Sequence, residues 1–137
     1  MIVSGIFLKS NLVRICTLKG TKNEHTVIAE KFNKLEIPKN PSKENVEAFV
    51  LALKTFCTEY SIDLVVINRR STTGKWAGGA GTFLNEGVLL ATSPVPIIFI
   101  AQTTIAATER KQAELKGYRP GTVDLGKAYD LAFECLE

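Results

Sequence analysis

The chain has 137 residues, 45% of them hydrophobic and 23% charged, with a formal net charge of +3. That length suits one domain, spanning 1–137, that buries its own core without staples, and no apolar run reaches the roughly 20 residues that cross a bilayer. Three widely separated cysteines, Cys16, Cys57 and Cys135, and one histidine, His25, are too few for a disulfide framework, a clustered zinc site or a His-dependent triad, so buried thiols are expected and no cofactor is.

Ile2 to Leu8 and Leu12 to Leu18 are apolar-rich and flank Lys9-Ser10-Asn11, which predicts a hairpin with Asn11 in the turn position that tolerates positive φ. The start, Met1-Ile2-Val3-Ser4-Gly5, lacks the basic residues and cleavage site of an export signal, so it is read as structure and the protein as cytoplasmic. Thr26 to Phe32 is expected to add a third strand to the meander, ended by Pro38 and Pro41. Ser42 is a good N-cap, and Val46, Phe49, Val50, Leu53, Phe56, Cys57 and Tyr60 recur along one helical stripe.

Ile62 to Ile67 is a nearly continuous β-branched run, the pattern of a central strand covered on both faces. Thr82 to Ala91 predicts a helix, with Gly87 read as a point of close backbone packing. Val95 to Ile100 is a second continuous apolar strand with Pro96 at its beginning. Thr103 or Thr104 is expected to cap a helix through Leu115 that Gly117 closes. Leu125, Ala128, Leu131, Ala132, Cys135 and Leu136 mark a terminal helix. The predicted order is β-β-β-α-β-α-β-α-α, without repeat or linker.

Three sequential strands followed by alternating helices and parallel strands give the α/β, five-stranded mixed sheet, with helices on both faces, of ribonuclease H and the RuvC resolvases. The local text resembles that superfamily. Val3-Ser4-Gly5-Ile6-Phe7-Leu8-Lys9-Ser10 is similar to the opening RuvC-like strand, Val66 to Val88 to its fourth strand, loop and glycine-containing helix, and Val123 to Ala132 to its closing helix. More closely, the chain is identified as a member of a small bacterial family of unknown function within this superfamily.

The resemblance implies a site for two magnesium ions held by carboxylates, which a phosphodiester-cleaving member requires. At the matching positions this chain has Phe7 for the first-strand aspartate, Asn68 for the fourth-strand glutamate and Lys127 for a terminal-helix aspartate, whereas Asp124 keeps its match. Catalysis is therefore not expected. A relocated acidic site built from Asp124 and Asp130 with Glu109 or Glu86 fares poorly, because six residues of helix turn the two aspartate side chains apart. Asp124 is read as a helix N-terminal acid and Asp130 as a solvated residue on a polar face.

Residues 68–81 concentrate cations, hydroxyls, glycines and Trp76 without one acid. This loop is expected to run from the carboxyl end of a central strand to a helix N-terminus, where open N–H groups favour anions. Gly74-Lys75 is not a Walker A loop, since Arg69 stands where its first glycine belongs and Trp76 follows the lysine. Asn68, Arg69, Arg70, Ser71, Thr72, Thr73, Lys75 and Trp76 are the candidate ligand-binding residues. Arg69, Arg70 and Lys75 would neutralise phosphates, Ser71 to Thr73 would hydrogen-bond them, and Trp76 would stack or pack. Lys111, Lys116, Arg119 and Lys127 are expected at the same sheet edge.

Three functions rank in order. The first is a non-catalytic domain binding nucleic acid or another phosphate-rich ligand, the second a homo-oligomeric interaction module, and the third a divergent metal nuclease.

Overall fold

The computed structural model describes residues 1–70 and 79–137. Strand β1 (Ile2–Lys9) turns at Ser10, whose φ of 57° takes the left-handed position expected of Asn11, and returns as β2 (Leu12–Gly20). The third strand differs from the expected Thr26–Phe32 run. It is split into β3 (His25–Ile28) and β4 (Lys34–Glu36), both antiparallel to β2, with Ala29 at φ 53° between them. The cause lies in Phe32, which leaves the sheet to stack on Phe56 at a ring separation of 4.1 Å.

Ser42 caps α1 (Lys43–Glu59) as expected: its hydroxyl accepts from Asn45 N–H at 3.1 Å, and Asn45 Oδ1 accepts from Ser42 N–H at 2.9 Å. Strand β5 (Leu64–Asn68) lies parallel to β1, and β6 (Ile97–Ile100) parallel to β5, giving the order β3-β2-β1-β5-β6 with β4 also on β2. Helix α2 (Ala80–Thr92) joins those two parallel strands. Gly87, read as a packing contact, instead faces open space. Helix α3 (Gln102–Gln112) starts before the expected threonine caps, at Ala101, and ends in a 3₁₀ turn at Ala113–Leu115; α4 (Val123–Glu134) closes the fold.

Period-two alternation splits the core between the two faces of the sheet. Ile6, Leu8, Val65 and Ile67 pack under α1 and α2 with Phe49, Leu53, Phe56 and Leu89. Val3, Leu64 and Val66 point the other way, against Ile105 of α3 and Ala128, Tyr129 and Ala132 of α4. Buried His25 ties β3 to α4. Its Nδ1 faces the Thr21 carbonyl at 3.0 Å and so carries the proton, leaving Nε2 to accept from the Tyr129 hydroxyl at 2.6 Å. The cysteines are free thiols; burial pushes Cys57 up to about 11 and Cys16 to about 12, the latter aided by the nearby Glu30 and Asp130 charges. Among the described residues no helix is long and apolar enough to cross a membrane.

Helix α4 rests directly on β1 because residue 5 has no side chain. A methyl group on Gly5 would fall 1.8 Å from the Ala128 carbonyl oxygen and 2.7 Å from Ala132 N. Both obstacles are backbone, so neither yields by rotating a side chain. Gly5→Ala is expected to destabilise the fold by about 3 kcal/mol through this overpacking. Urea denaturation checks the value, and a loss below about 1 kcal/mol would mean that α4 shifts freely.

Candidate functional site

The carboxyl ends of β1, β5 and β6 open onto a cleft of about 90 Å³, closed from above by α3 and α4. It lies beside the point where strand order reverses between β1 and β5, the usual ligand position in open α/β sheets. Phe7, Asn68, Arg69, Gln102, Lys127 and Asp130 all line it. Phe7, Asn68 and Lys127, the three positions that the resemblance aligns with acids, therefore meet in one place. A larger cavity of about 320 Å³ lies beyond β2 and β3, between Val27, Tyr118 and Leu125, but Glu30 is its one charged lining group.

Asn68 sits at the end of β5 with both halves of its amide engaged. Its Oδ1 accepts from Leu8 N–H at 2.9 Å, and its Nδ2 donates to Leu8 C=O at 3.4 Å. The amide thus extends the β1–β5 ladder past the last main-chain pair. A carboxylate could only accept, so the second bond requires an amide. Lys127 and Arg69 are exposed cations supported by aromatic faces, Lys127 Nζ lying 5.0 Å from the Phe7 ring and the Arg69 guanidinium 4.4 Å from that of Phe99.

Asp130 corrects the expectation of a solvated residue: it is only 7% exposed. Arg119 grips it with two bonds, Nε to Oδ1 at 2.9 Å and Nη2 to Oδ2 at 3.0 Å, and Lys116 Nζ reaches Oδ1 at 3.0 Å and Glu109 at 2.9 Å. Hydrogen bonding to Asp130 raises the Arg119 pKa above its ordinary value. The guanidinium lies directly over Gly126, where a Cβ would come within 2.8 Å of its carbon and push the side chain aside. Asp124 stays in the first turn of α4, as expected, and pairs with Lys9 at 3.8 Å.

Arg70 is also committed. Its Nε lies 2.5 Å from Glu86 and its guanidinium 3.6 Å from the Phe83 ring, both on α2. Ser71, Thr72, Thr73, Lys75 and Trp76 lie outside the described residues. Lys116, Arg119 and Lys127 do gather around the cleft, and Arg110 joins its rim beside Gln102 and Asp130. Five cations, Arg69, Arg110, Lys116, Arg119 and Lys127, thus surround two carboxylates, Glu109 and Asp130. Sequence reasoning missed Gln102 and Gly126, whose roles depend on how α3 and the following turn fold over α4, and it considered Glu109 only as a metal ligand, whereas Glu109 pairs with Lys116.

The donors do not fit a pair of magnesium ions. An aromatic ring, an amide already bonded and an ammonium occupy three positions, and the one carboxylate is held by two cations. Among the described residues no three His, Cys, Asp or Glu side chains gather to hold a metal.

Residues 1–135 match the family described as "Protein of unknown function (DUF3010)", and the chain belongs to that family. No curated protein is significantly similar in sequence. Among solved structures, Thermus thermophilus RuvC is similar over 98% of this chain and 92% of its own, with a TM-score of 0.71 and 14% identity. The T. thermophilus RuvC complex with a Holliday junction substrate gives 0.70 and 15%, over 98% and 91% of the two chains. Fowlpox virus resolvase bound to Holliday junction DNA gives 0.51 and 11%, over 98% and 97%. The fold is therefore RuvC-like, within the ribonuclease-H-like class.

Removing Asp130 leaves buried Lys116 with only the half-exposed Glu109 carboxylate. Asp130→Ala is expected to cost about 3 kcal/mol in a chemical-denaturation titration, because a buried cation loses its counter-charge. A change below about 1 kcal/mol would show that the network does not anchor α4 to the segment before it.

Proposed function

We propose that this member of the family is a non-catalytic ribonuclease-H-like domain that holds a nucleic acid backbone in the cleft between the sheet edge, α3 and α4. The observation that carries this reading is the sign of the charge. Where cleavage of a phosphodiester by paired metals needs clustered carboxylates, this cleft presents Arg69 and Lys127 to solvent and keeps Asp130 neutralised from within.

Each exposed cation is held by a ring, so binding a phosphate costs less ordering than it would for a free side chain. Helix α3 opens at the cleft with neither a side-chain cap nor an acid in its first turn, and this favours an anion there. Asn68 and Arg70 act as supports in this reading, because the Asn68 amide is spent on Leu8 and Arg70 pairs with Glu86. We assign Ser71, Thr72, Thr73, Lys75 and Trp76 to the same ligand on their chemistry alone, as hydroxyls, one more cation and an aromatic ring. The similar structures of T. thermophilus RuvC and fowlpox virus resolvase hold Holliday junction DNA, which supports nucleic acid as the ligand.

Fluorescence anisotropy of labelled single-stranded DNA, duplex, RNA and four-way junction, at two salt concentrations with magnesium present, tests the reading. Salt-sensitive binding without cleavage is expected. If each cation neutralises one phosphate, Arg69→Ala/Lys127→Ala should lower the log–log salt slope for duplex by about 1.8. No binding to any probe at low salt, or cleavage of one, overturns it.

A further inference from the structure

The break between β3 and β4 borders a hollow on the α4 side of the sheet. Ala29, at φ 53°, follows the end of β3 and opens a turn that Phe32 N–H closes on the Ala29 carbonyl at 2.9 Å. Pairing with β2 resumes at Asn33, whose carbonyl accepts from Ile15 N–H at 2.9 Å. The cavity of about 320 Å³ lies against this break, lined by Cys16, Val27, Glu30, Asn33, Tyr118 and Leu125. Its volume falls at the lower end of the ~300–1,000 Å³ of pockets that hold small molecules.

Contacts outside the cavity fix its walls. The Tyr118 ring packs edge-on to buried His25 at 5.8 Å. The next residue, Arg119, is bonded twice to Asp130, and Leu125 belongs to α4, which Gly5 seats on the sheet. Walls already in place leave little ordering for a ligand to impose.

The lining chemistry selects the charge of an occupant. Val27, Ile28, Pro120 and Leu125 suit an apolar body, and Tyr118, 58% exposed, offers an aromatic ring. Glu30 is the one charged lining residue, and among the described residues it makes no ion pair. Neighbouring cations are directed elsewhere: Arg119 is committed to Asp130, and Lys31 lines a different hollow, against α1. Cys16 lines the cavity as a neutral thiol, since burial and the Glu30 and Asp130 charges push it up to about 12. A carboxylate beside an aromatic ring and an apolar hollow attracts a cation. The Asn33 amide oxygen can accept a further bond from it.

We propose that this cavity binds a small organic ammonium, with its apolar body between Val27 and Leu125 and its nitrogen between Glu30 and the Tyr118 ring. The site lies apart from the cationic cleft, and the inference is independent of what that cleft binds.

The test is a titration of the ¹⁵N-labelled chain, followed by amide chemical shifts, with 2-phenylethylamine, 2-phenylethanol and 3-phenylpropionate. These probes keep the ring and carry, at neutral pH, a positive, a zero and a negative charge. Saturable shifts at Val27, Ile28, Glu30 and Tyr118 are expected, with the amine binding about tenfold more tightly than the alcohol through its charge-assisted bond. Glu30→Gln should abolish that advantage, and Glu30→Lys should transfer it to the carboxylate. Glu30 is exposed, so both variants should keep the wild-type shifts away from the cavity. Shifts that do not saturate at these residues, equal affinity for the three probes, or an amine preference that survives in folded Glu30→Gln overturns the proposal.

Discussion

The close approach of α4 to β1 is the constraint on which the rest of the structure depends. With hydrogen alone at Gly5, the helix backbone lies against the strand, and Ala128 and Ala132 meet the sheet where larger residues would hold the helix away. That height sets the reach of every residue on the helix. Lys127 and Asp130 come to line the cleft at the end of β1 and β5, and Tyr129 reaches His25 on the edge strand β3. A single missing methyl group thereby fixes the geometry of a site formed by three strands and two helices.

The cleft that results is electrostatically self-contained. Asp130 would be costly to bury alone, and Lys116 more so, since its side chain is 3% exposed. Together, with Arg119 laid across Gly126, they satisfy one another and leave Arg69 and Lys127 as the charges presented outward. Asn68 completes the arrangement by closing the ladder between Leu8 and β5. The protein thus has a RuvC-like frame whose cleft presents two cations to solvent.

Much of this was legible in the sequence, for identifiable reasons. Helix α1 has both a capping serine and an apolar stripe of correct period, and β5 is a run of β-branched residues, so their types and the element order follow from local pattern. The convergence of Phe7, Asn68 and Lys127 followed from alignment with a known fold, because strand ends and helix turns keep their places when side chains change. Features set by distant partners were not legible. Nothing near Phe32 announces that Phe56 draws it out of the sheet, and nothing near Asp130 announces that Lys116 and Arg119 fold back over it. Gly87 misled because a glycine in a helix reads as a contact whether or not one exists, and β6 reads as interior although none of its four residues is buried.

In this cleft a ring, an amide and an ammonium stand at the positions where the RuvC-like resemblance implies metal-holding acids. Electron paramagnetic resonance of Mn²⁺, a spectroscopic stand-in for magnesium, titrated into the folded chain tests this most directly. The signal of the free ion should persist undiminished through the titration. Saturable loss of that signal at two ions per chain, abolished by Asp130→Asn, would contradict the account and restore the cleft as a metal site.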